Sequence, residues 1–260
     1  GGPLATTGAA ARTIAAAAAA RGLVIEAGFE ARYQPVWETA KALVASGRLG
    51  ELTGGAAVAL WPADPASWYY SEARSGGMPL THMTYCFVNP LRWLFGEPFA
   101  VRAIGHRRSA VPDDAVRAET CVALLGFDAL SVALTAGYIR ASAERTWEVR
   151  LFGDRAVLDI LPDEDGPGQL RLLFGDRCEA IEFAAGDNGF HRQAAAFVAA
   201  IRGGEAVRNP PSGCIGDLDV VETIDAEIEA IRDLQASHDQ RMARADGATP
   251  LDGSNRRASG

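Results

Sequence analysis

The sequence predicts an α/β (α+β) chain: a large open, mostly antiparallel sheet with helices on one face, preceded by a single remnant α-β unit. Three observations predict it. Between residues 99 and 183 apolar residues alternate with polar or small ones, and no stretch there is long enough for a helical crossover, so neighbouring strands should pair antiparallel. On either side of that region the apolar spacing becomes helical. The first 28 residues hold one helix and one glycine-bounded apolar run, which make one α-β unit rather than a domain.

Composition bounds the function. With 260 residues, 48% of them hydrophobic, the chain can bury a substantial core, as one large domain or one domain with an appendage rather than two equal ones. Net charge is −8, and the 24 arginines and single lysine, Lys41, are dispersed rather than massed in a stripe. That argues against nucleic acid or an anionic membrane as partner. Cys86, Cys121, Cys178 and Cys214 are scattered singly, which suits a reducing compartment and a cytoplasmic protein more than a disulfide framework. No apolar run reaches the roughly 18 residues of a membrane span.

In chain order, Thr6 or Thr7 can cap a helix whose body, Ala15 to Ala20, is alanine, the strongest helix former; Gly22 ends it. Residues 22–28 read as a short strand. Pro35 opens a helix with Val36, Ala40, Leu43 and Val44 on its apolar stripe, and Gly47 provides the left-handed stop. Leu52 to Leu60 is a strand rich in small residues. Residues 62–77 form a loop dense in aromatics, Trp68, Tyr69 and Tyr70, which serve either as a lid or pocket wall or as a cap on the core edge.

From Gly76 to Pro98 the pattern is a helix, closed by Gly96. His82 and Cys86 are four apart and Asn89 three further on, so one helical face carries three chemically able side chains. Strands follow at Glu119–Phe127, Ser131–Ile139 and Arg145–Phe152. Phe152-Gly-Asp-Arg155 and Phe174-Gly-Asp-Arg177 suit two-residue hairpin turns of type II′. In Ser131–Ile139 both faces are apolar or small, which predicts helices on one side of the sheet and another subunit on the other. The acidic run Asp163 to Asp165 reads as a solvated hairpin tip. Amphipathic helices span Phe190–Ile201 and Ile215–Leu234, and a disordered tail is expected from residue 236.

In order and spacing, the stretches PLATT, LVIEAGFEARYQPVWETAKALVASGRLGELTG, SGGMPLTHMTYCFVNPLRWLFGEP, WEVRLFGDRAVLDI and FHRQAAAFVAAIRGGE resemble the carboxy-terminal two thirds of the Gfo/Idh/MocA oxidoreductases, the glucose-fructose oxidoreductase and inositol dehydrogenase group. The resemblance implies a Rossmann domain that binds NAD or NADP, followed by a domain that shapes the substrate site and mediates oligomerisation. On that view residues 1–28 are the last α-β unit of the nucleotide domain, 29–235 the substrate and oligomerisation domain, and 236–260 the tail. The implied substrate is a sugar, cyclitol or related polyhydroxy compound, and the implied partners are a second copy of the chain through the sheet face and a separate Rossmann subunit.

No strand, Gly-rich turn and helix start follow one another here as a dinucleotide site requires, and Gly166-Pro167-Gly168 lies between strands. The chain alone is therefore not expected to bind NAD(P). Where the family usually has Glu-Lys-Pro, this sequence has Gly1-Gly2-Pro3. Where it usually has Asp-x-Gly-x-His, alignment back from Leu91-Arg92-Trp93-Leu94 puts His82 at the aspartate and Cys86 at the histidine. Relatives with tyrosine followed by Val-Asn bring Val88-Asn89 into match and leave Tyr85 one residue out of register.

The candidate catalytic residues are thus His82 and Cys86, and the candidate substrate contacts Arg32, Trp68, Tyr70, Tyr85 and Asn89. Each has a plainer reading. An imidazole can activate a neighbouring thiol, whereas a cysteine on an apolar helix is more often packing; a metal would need a third ligand that no spacing supplies. Arg32 either orients a ligand or makes a surface salt bridge. The other reading of the whole chain is a non-redox descendant, a cofactor-free lyase or a binding and scaffolding subunit.

Overall fold

The computed structural model describes residues 2–75, 80–107, 116, 118–140, 145–163 and 165–247; the side chains of 80–85, 140, 239–240 and 243–247 lie outside that description. Helix α1 (Gly8–Ala19) is capped by Thr7, whose hydroxyl accepts from the Ala10 N–H, and Gly22 turns away at φ 62°. The strand expected at 22–28 does not form. Extended backbone becomes a strand only when a neighbour pairs with it, and this segment makes one Gly2–Gly28 bridge and an Ala27 N–H bond to the Asn209 carbonyl.

A 3₁₀ turn (Glu30–Tyr33) leads into α2 (Pro35–Ala45), which buries Val36, Trp37, Ala40 and Leu43 and is followed by Gly47 at φ 71°. The sheet then begins with β1 (Leu52–Ala63). After a 3₁₀ turn (Trp68–Tyr70) and the short α3 (Glu72–Ser75), α4 (Leu80–Phe95) ends at Gly96, φ 84°. Pro90 inside α4 offers no N–H to the Cys86 carbonyl one turn earlier. Residues 76–79, expected to open this helix, lie outside the described residues.

Seven further strands follow: β2 (Ala100–His106), β3 (Thr120–Gly126), β4 (Ser131–Arg140), β5 (Thr146–Gly153), β6 (Val157–Leu161), β7 (Gln169–Phe174) and β8 (Arg177–Ile181). They form one sheet in the order β2-β3-β4-β1-β5-β6-β7-β8. All neighbours are antiparallel except β1 and β4, which run parallel with Trp61 opposite Tyr138. The segment between these two supplies α4, which packs back across both strands. The small residues Ala57 and Ala59 on β1 leave room for it.

The two Phe-Gly-Asp-Arg turns behave differently. Gly175 has φ 59° and opens a two-residue hairpin between Phe174 and Arg177, as expected. Gly153 stays in β5 opposite Leu52, and the chain turns after it, its N–H donating to the Ala156 carbonyl. Its glycine serves close approach instead: a Cβ there would stand 2.2 Å from the Leu49 carbonyl oxygen.

Helices α2 and α4 and the closing helix α6 (Pro211–Gly247) pack on one face of the sheet. Val132, Leu134, Ala136 and Tyr138 of β4 point into this layer and are buried, as their alternation predicts. The opposite face leaves Ile104 61%, Val122 53% and Leu124 54% exposed. Helix α5 (Gly189–Ile201) packs against the 3₁₀ turn at Glu30–Tyr33, and its Phe190, Val198 and Ile201 stay exposed among the described residues. The disorder expected from 236 gives way to helix as far as Gly247. Alanine, glutamine, arginine and methionine carry α6 past its last buried residue, Ile228, by propensity alone.

Candidate functional site

Three adjacent strands bring aromatic residues to the same end of the sheet on its helix-covered face. Trp61 of β1 lies opposite Tyr138 of β4, and Trp147 of β5 lies opposite Ala59, so all three side chains share that face. Trp61 and Trp147 meet edge to face at 6.1 Å, and Trp147 continues to Phe87 of α4 at 5.0 Å and thence to Trp37 at 6.1 Å. Tyr69 closes the other side, its ring 5.5 Å from that of Tyr138. Gly137, at φ 142°, lets β3 come close enough that a Cβ would stand 2.1 Å from the Glu119 carbonyl oxygen, and so sets the position of Tyr138.

Trp61, Tyr69, Tyr138 and Trp147 wall a pocket of about 510 Å³, with Cys86 in its lining and Glu30, Gln34, Asp64, Ser67, Arg145 and Asp163 among its polar groups. A chamber of about 40 Å³ adjoins it, sharing Gln34, Cys86 and Trp147. The Arg145 guanidinium lies 4.9 Å over the Trp61 ring and 3.7 Å from Asp163 Oδ1. Burial, reinforced by Tyr69 and Cys86, pushes the Tyr138 phenol well above its ordinary pKa, so it keeps its proton and can act as a donor but not as a base.

Gln34, 3% exposed, donates from Nε2 to the Asp163 carbonyl at 3.3 Å. A carbonyl only accepts, so this bond fixes the amide orientation and leaves Oε1 on the other side, buried and without a hydrogen-bond partner among the described residues.

The predicted residues are not gathered in one place. Cys86 borders both chambers; the side chains of His82 and Tyr85 lie outside the described ones. The dense aromatic loop divides between its two readings. Tyr69 is pocket wall, Tyr70 is core edge with its hydroxyl on Glu119 Oε1 at 3.0 Å, and Trp68 is 43% exposed and stacked on Tyr69.

Arg32 and Asn89 do not line the pocket; they belong to a buried polar network instead. Arg32 Nε donates to Asn89 Oδ1 at 3.2 Å and its Nη1 to the Arg208 carbonyl at 2.9 Å, while Asn89 Nδ2 donates to Asp217 Oδ2 at 2.6 Å. Arg92 donates to Asp217, to the Gly213 carbonyl and to Glu97. Burial pushes the Asp217 carboxyl up, opposed by Arg92 and by the Asn89 bond, and burial pushes the Arg32 pKa down. This network ties the 3₁₀ turn that precedes Gln34 to α4 and α6, so its residues position the pocket wall from behind.

The aromatic pairing across β1, β4 and β5 escapes sequence reading, because Trp61, Tyr138 and Trp147 are separated by up to 86 residues and meet only through strand order. Asp163, expected at a solvated tip, is at the pocket rim.

Among the described residues, neither the start of α1 nor the Gly166–Gly168 turn offers a dinucleotide cradle. The pyrophosphate needs free N–H groups at a helix start, and at α1 the Gly8 N–H is taken by Glu222 Oε1 at 2.9 Å and the Ala10 N–H by Thr7. Gly166 and Gly168 lie in the β6–β7 connection, where Gly168, at φ 79°, packs against the Leu161 carbonyl. No group of three or more His, Cys, Asp or Glu able to hold a metal occurs among the described residues.

Fold and site together define an α/β domain with an open sheet and a pocket at the end of its parallel strand pair. Residues 37–159 match the family model described as the GFO/IDH/MocA C-terminal domain. The aldose-aldose oxidoreductase from Caulobacter crescentus, solved with glycerol, is 22% identical at a TM-score of 0.76, over 88% of this chain and 69% of that one. A levoglucosan dehydrogenase, solved with NADH and levoglucosan, is 18% identical at 0.74, over 88% and 70%. The UDP-N-acetylglucosamine 3-dehydrogenase from Acidithiobacillus ferrooxidans is 21% identical at 0.68, over 88% and 69%. No curated protein matches the sequence.

Proposed function

We propose that this chain is the substrate-side part of an NAD(P)-dependent oxidoreductase acting on a sugar, cyclitol or related polyhydroxy compound. The observation that carries the reading is the pocket of about 510 Å³, walled by Trp61, Tyr69, Tyr138 and Trp147 and rimmed by polar groups, in a domain of the GFO/IDH/MocA type. Flat rings suit the C–H faces of a sugar, and the rim suits its hydroxyls. The glycerol and levoglucosan held by two of the structural relatives support it.

The nicotinamide nucleotide belongs on a separate nucleotide-binding domain, of which residues 1–28 are the last segment. Cys86, with His82 one turn earlier on α4, supplies acid-base or binding groups. A second copy covers the apolar outer face of the sheet around Ile104, Val122 and Leu124. The lack of a dinucleotide cradle also favours a second reading, a cofactor-free lyase or a binding subunit built on the same domain.

Calorimetric titration with neutral polyols tests the proposal. Saturable binding that Trp61→Ala abolishes while the chain stays folded is expected. A folded chain that binds no polyol overturns the reading. A fluorescence titration with NAD(P)H should stay flat, saturation would refute the argument from the missing cradle, and polyol turnover without nucleotide would favour the lyase.

A further inference from the structure

We infer that the pocket takes a polyhydroxy ligand bearing a protonated amine, in preference to neutral, phosphorylated or nucleotide-linked sugars; this rests on the polyol reading above. Three independent features of the pocket agree. The first is charge. Among the described lining residues Glu30, Asp64 and Asp163 are acidic and Arg145 alone is basic. Arg145 is already engaged, 3.7 Å from Asp163 Oδ1 and stacked over Trp61, so a phosphate or diphosphate would meet an excess of carboxylates.

The second is the Gln34 amide. Its Oε1 is a buried acceptor without a partner among the described residues, held in that orientation by the Nε2 bond to the Asp163 carbonyl. A buried acceptor is satisfied only by a donor, and an ammonium or hydroxyl group of a ligand is one. The third is the aromatic wall. The faces of Tyr69 and Trp147 carry negative quadrupole potential and attract a cation as well as a sugar ring, as the Trp61 ring already does for Arg145. Carboxylates, an unfilled acceptor and π faces all select for a cationic donor. A neutral ring would satisfy the walls without drawing on Asp64 and Asp163.

The test keeps the ring constant and changes its charge. The folded chain is titrated calorimetrically with glucosamine, glucose, N-acetylglucosamine and UDP-glucose, at low salt and at about 0.15 M salt. Glucosamine is expected to bind about tenfold or more tightly than glucose and N-acetylglucosamine, with the preference shrinking as salt rises. Asp64→Asn and Asp163→Asn, each of which keeps an acceptor oxygen, should narrow the gap by weakening glucosamine more than glucose.

Glucose, N-acetylglucosamine or UDP-glucose binding as tightly as glucosamine would overturn the amine preference and leave the polyol reading standing. A preference for glucosamine that both variants retain would equally overturn the assignment to these carboxylates. Binding of none of the four by a folded chain would overturn both.

Discussion

Asp217 is the residue whose removal the structure penalises most clearly. Its carboxylate is fully buried, accepts from Asn89 at 2.6 Å, and pairs with Arg92, whose side chain is 5% exposed. Asp217→Leu would leave Arg92 with Glu97, itself 71% exposed, as its acidic partner beside the Gly213 carbonyl, and would leave the Asn89 amide and the nearby Arg32 without their acidic neighbour. Breaking a buried pair from one side costs about 3–5 kcal/mol, because the remaining charge stays desolvated. For a chain of this size that lowers the melting temperature by roughly 6–20 °C. Urea unfolding followed by circular dichroism measures it, with Arg92→Met and the double variant alongside. The double variant should be more stable than the sum of the two single losses predicts, since it removes both charges. A loss below about 1 kcal/mol for Asp217→Leu, or strict additivity in the double variant, would refute the argument that the network is a coupled buried ion cluster.

Other consequences follow from single sites. Tyr33 donates to Glu26 at 2.6 Å, and burial pushes its phenol from the ordinary 10.0 up to about 12. The folded state thus holds this proton to higher pH than the unfolded one. The contribution is complete below about pH 10 and is lost as pH rises to about 12; with solvent screening it amounts to at most about 2 kcal/mol. Comparing urea midpoints of the wild-type chain and Tyr33→Phe across that window checks it, and parallel curves would contradict it. Gly137→Ala should destabilise by about 2 kcal/mol or more and weaken polyol binding, because φ is 142° and the added Cβ would strike the Glu119 carbonyl. A calorimetric melt plus one titration decides it. Val122→Asp with Leu124→Asp should reduce the mass seen by light scattering to that of a monomer while shifting stability by only about 0.5 kcal/mol per site, both side chains being over half exposed. An unchanged mass would place the interface elsewhere.

Local signals in the sequence were sufficient for α1, α2, α4 and the antiparallel strands. Alanine propensity, Pro35 at a helix start, Gly47 and Gly96 in left-handed stops and the alternation of β4 all act within a few residues of themselves. The expected strand at 22–28 failed because strand formation depends on a neighbour, and the apolar run cannot announce whether one is present. The helix continues past residue 236 because alanine, glutamine, arginine and methionine favour it locally, without needing an apolar face.

The site divides along the same line. Cys86 could be singled out from its helical spacing, and it does border the pocket. Arg32 and Asn89 were recognisable as unusual polar residues, yet whether a buried polar group meets ligand or protein depends on what faces it. Here Asp217, in a helix more than a hundred residues further on, faces it. Trp61, Tyr138 and Trp147 form a wall only because β1 runs parallel to β4 and antiparallel to β5, and the orientation of the Gln34 amide depends on one carbonyl at Asp163. Periodicity and propensity are properties of neighbouring residues and can be read from the sequence. Strand order, the partner of each buried charge and the shape of the pocket arise from contacts between distant segments, so only the tertiary structure decides them.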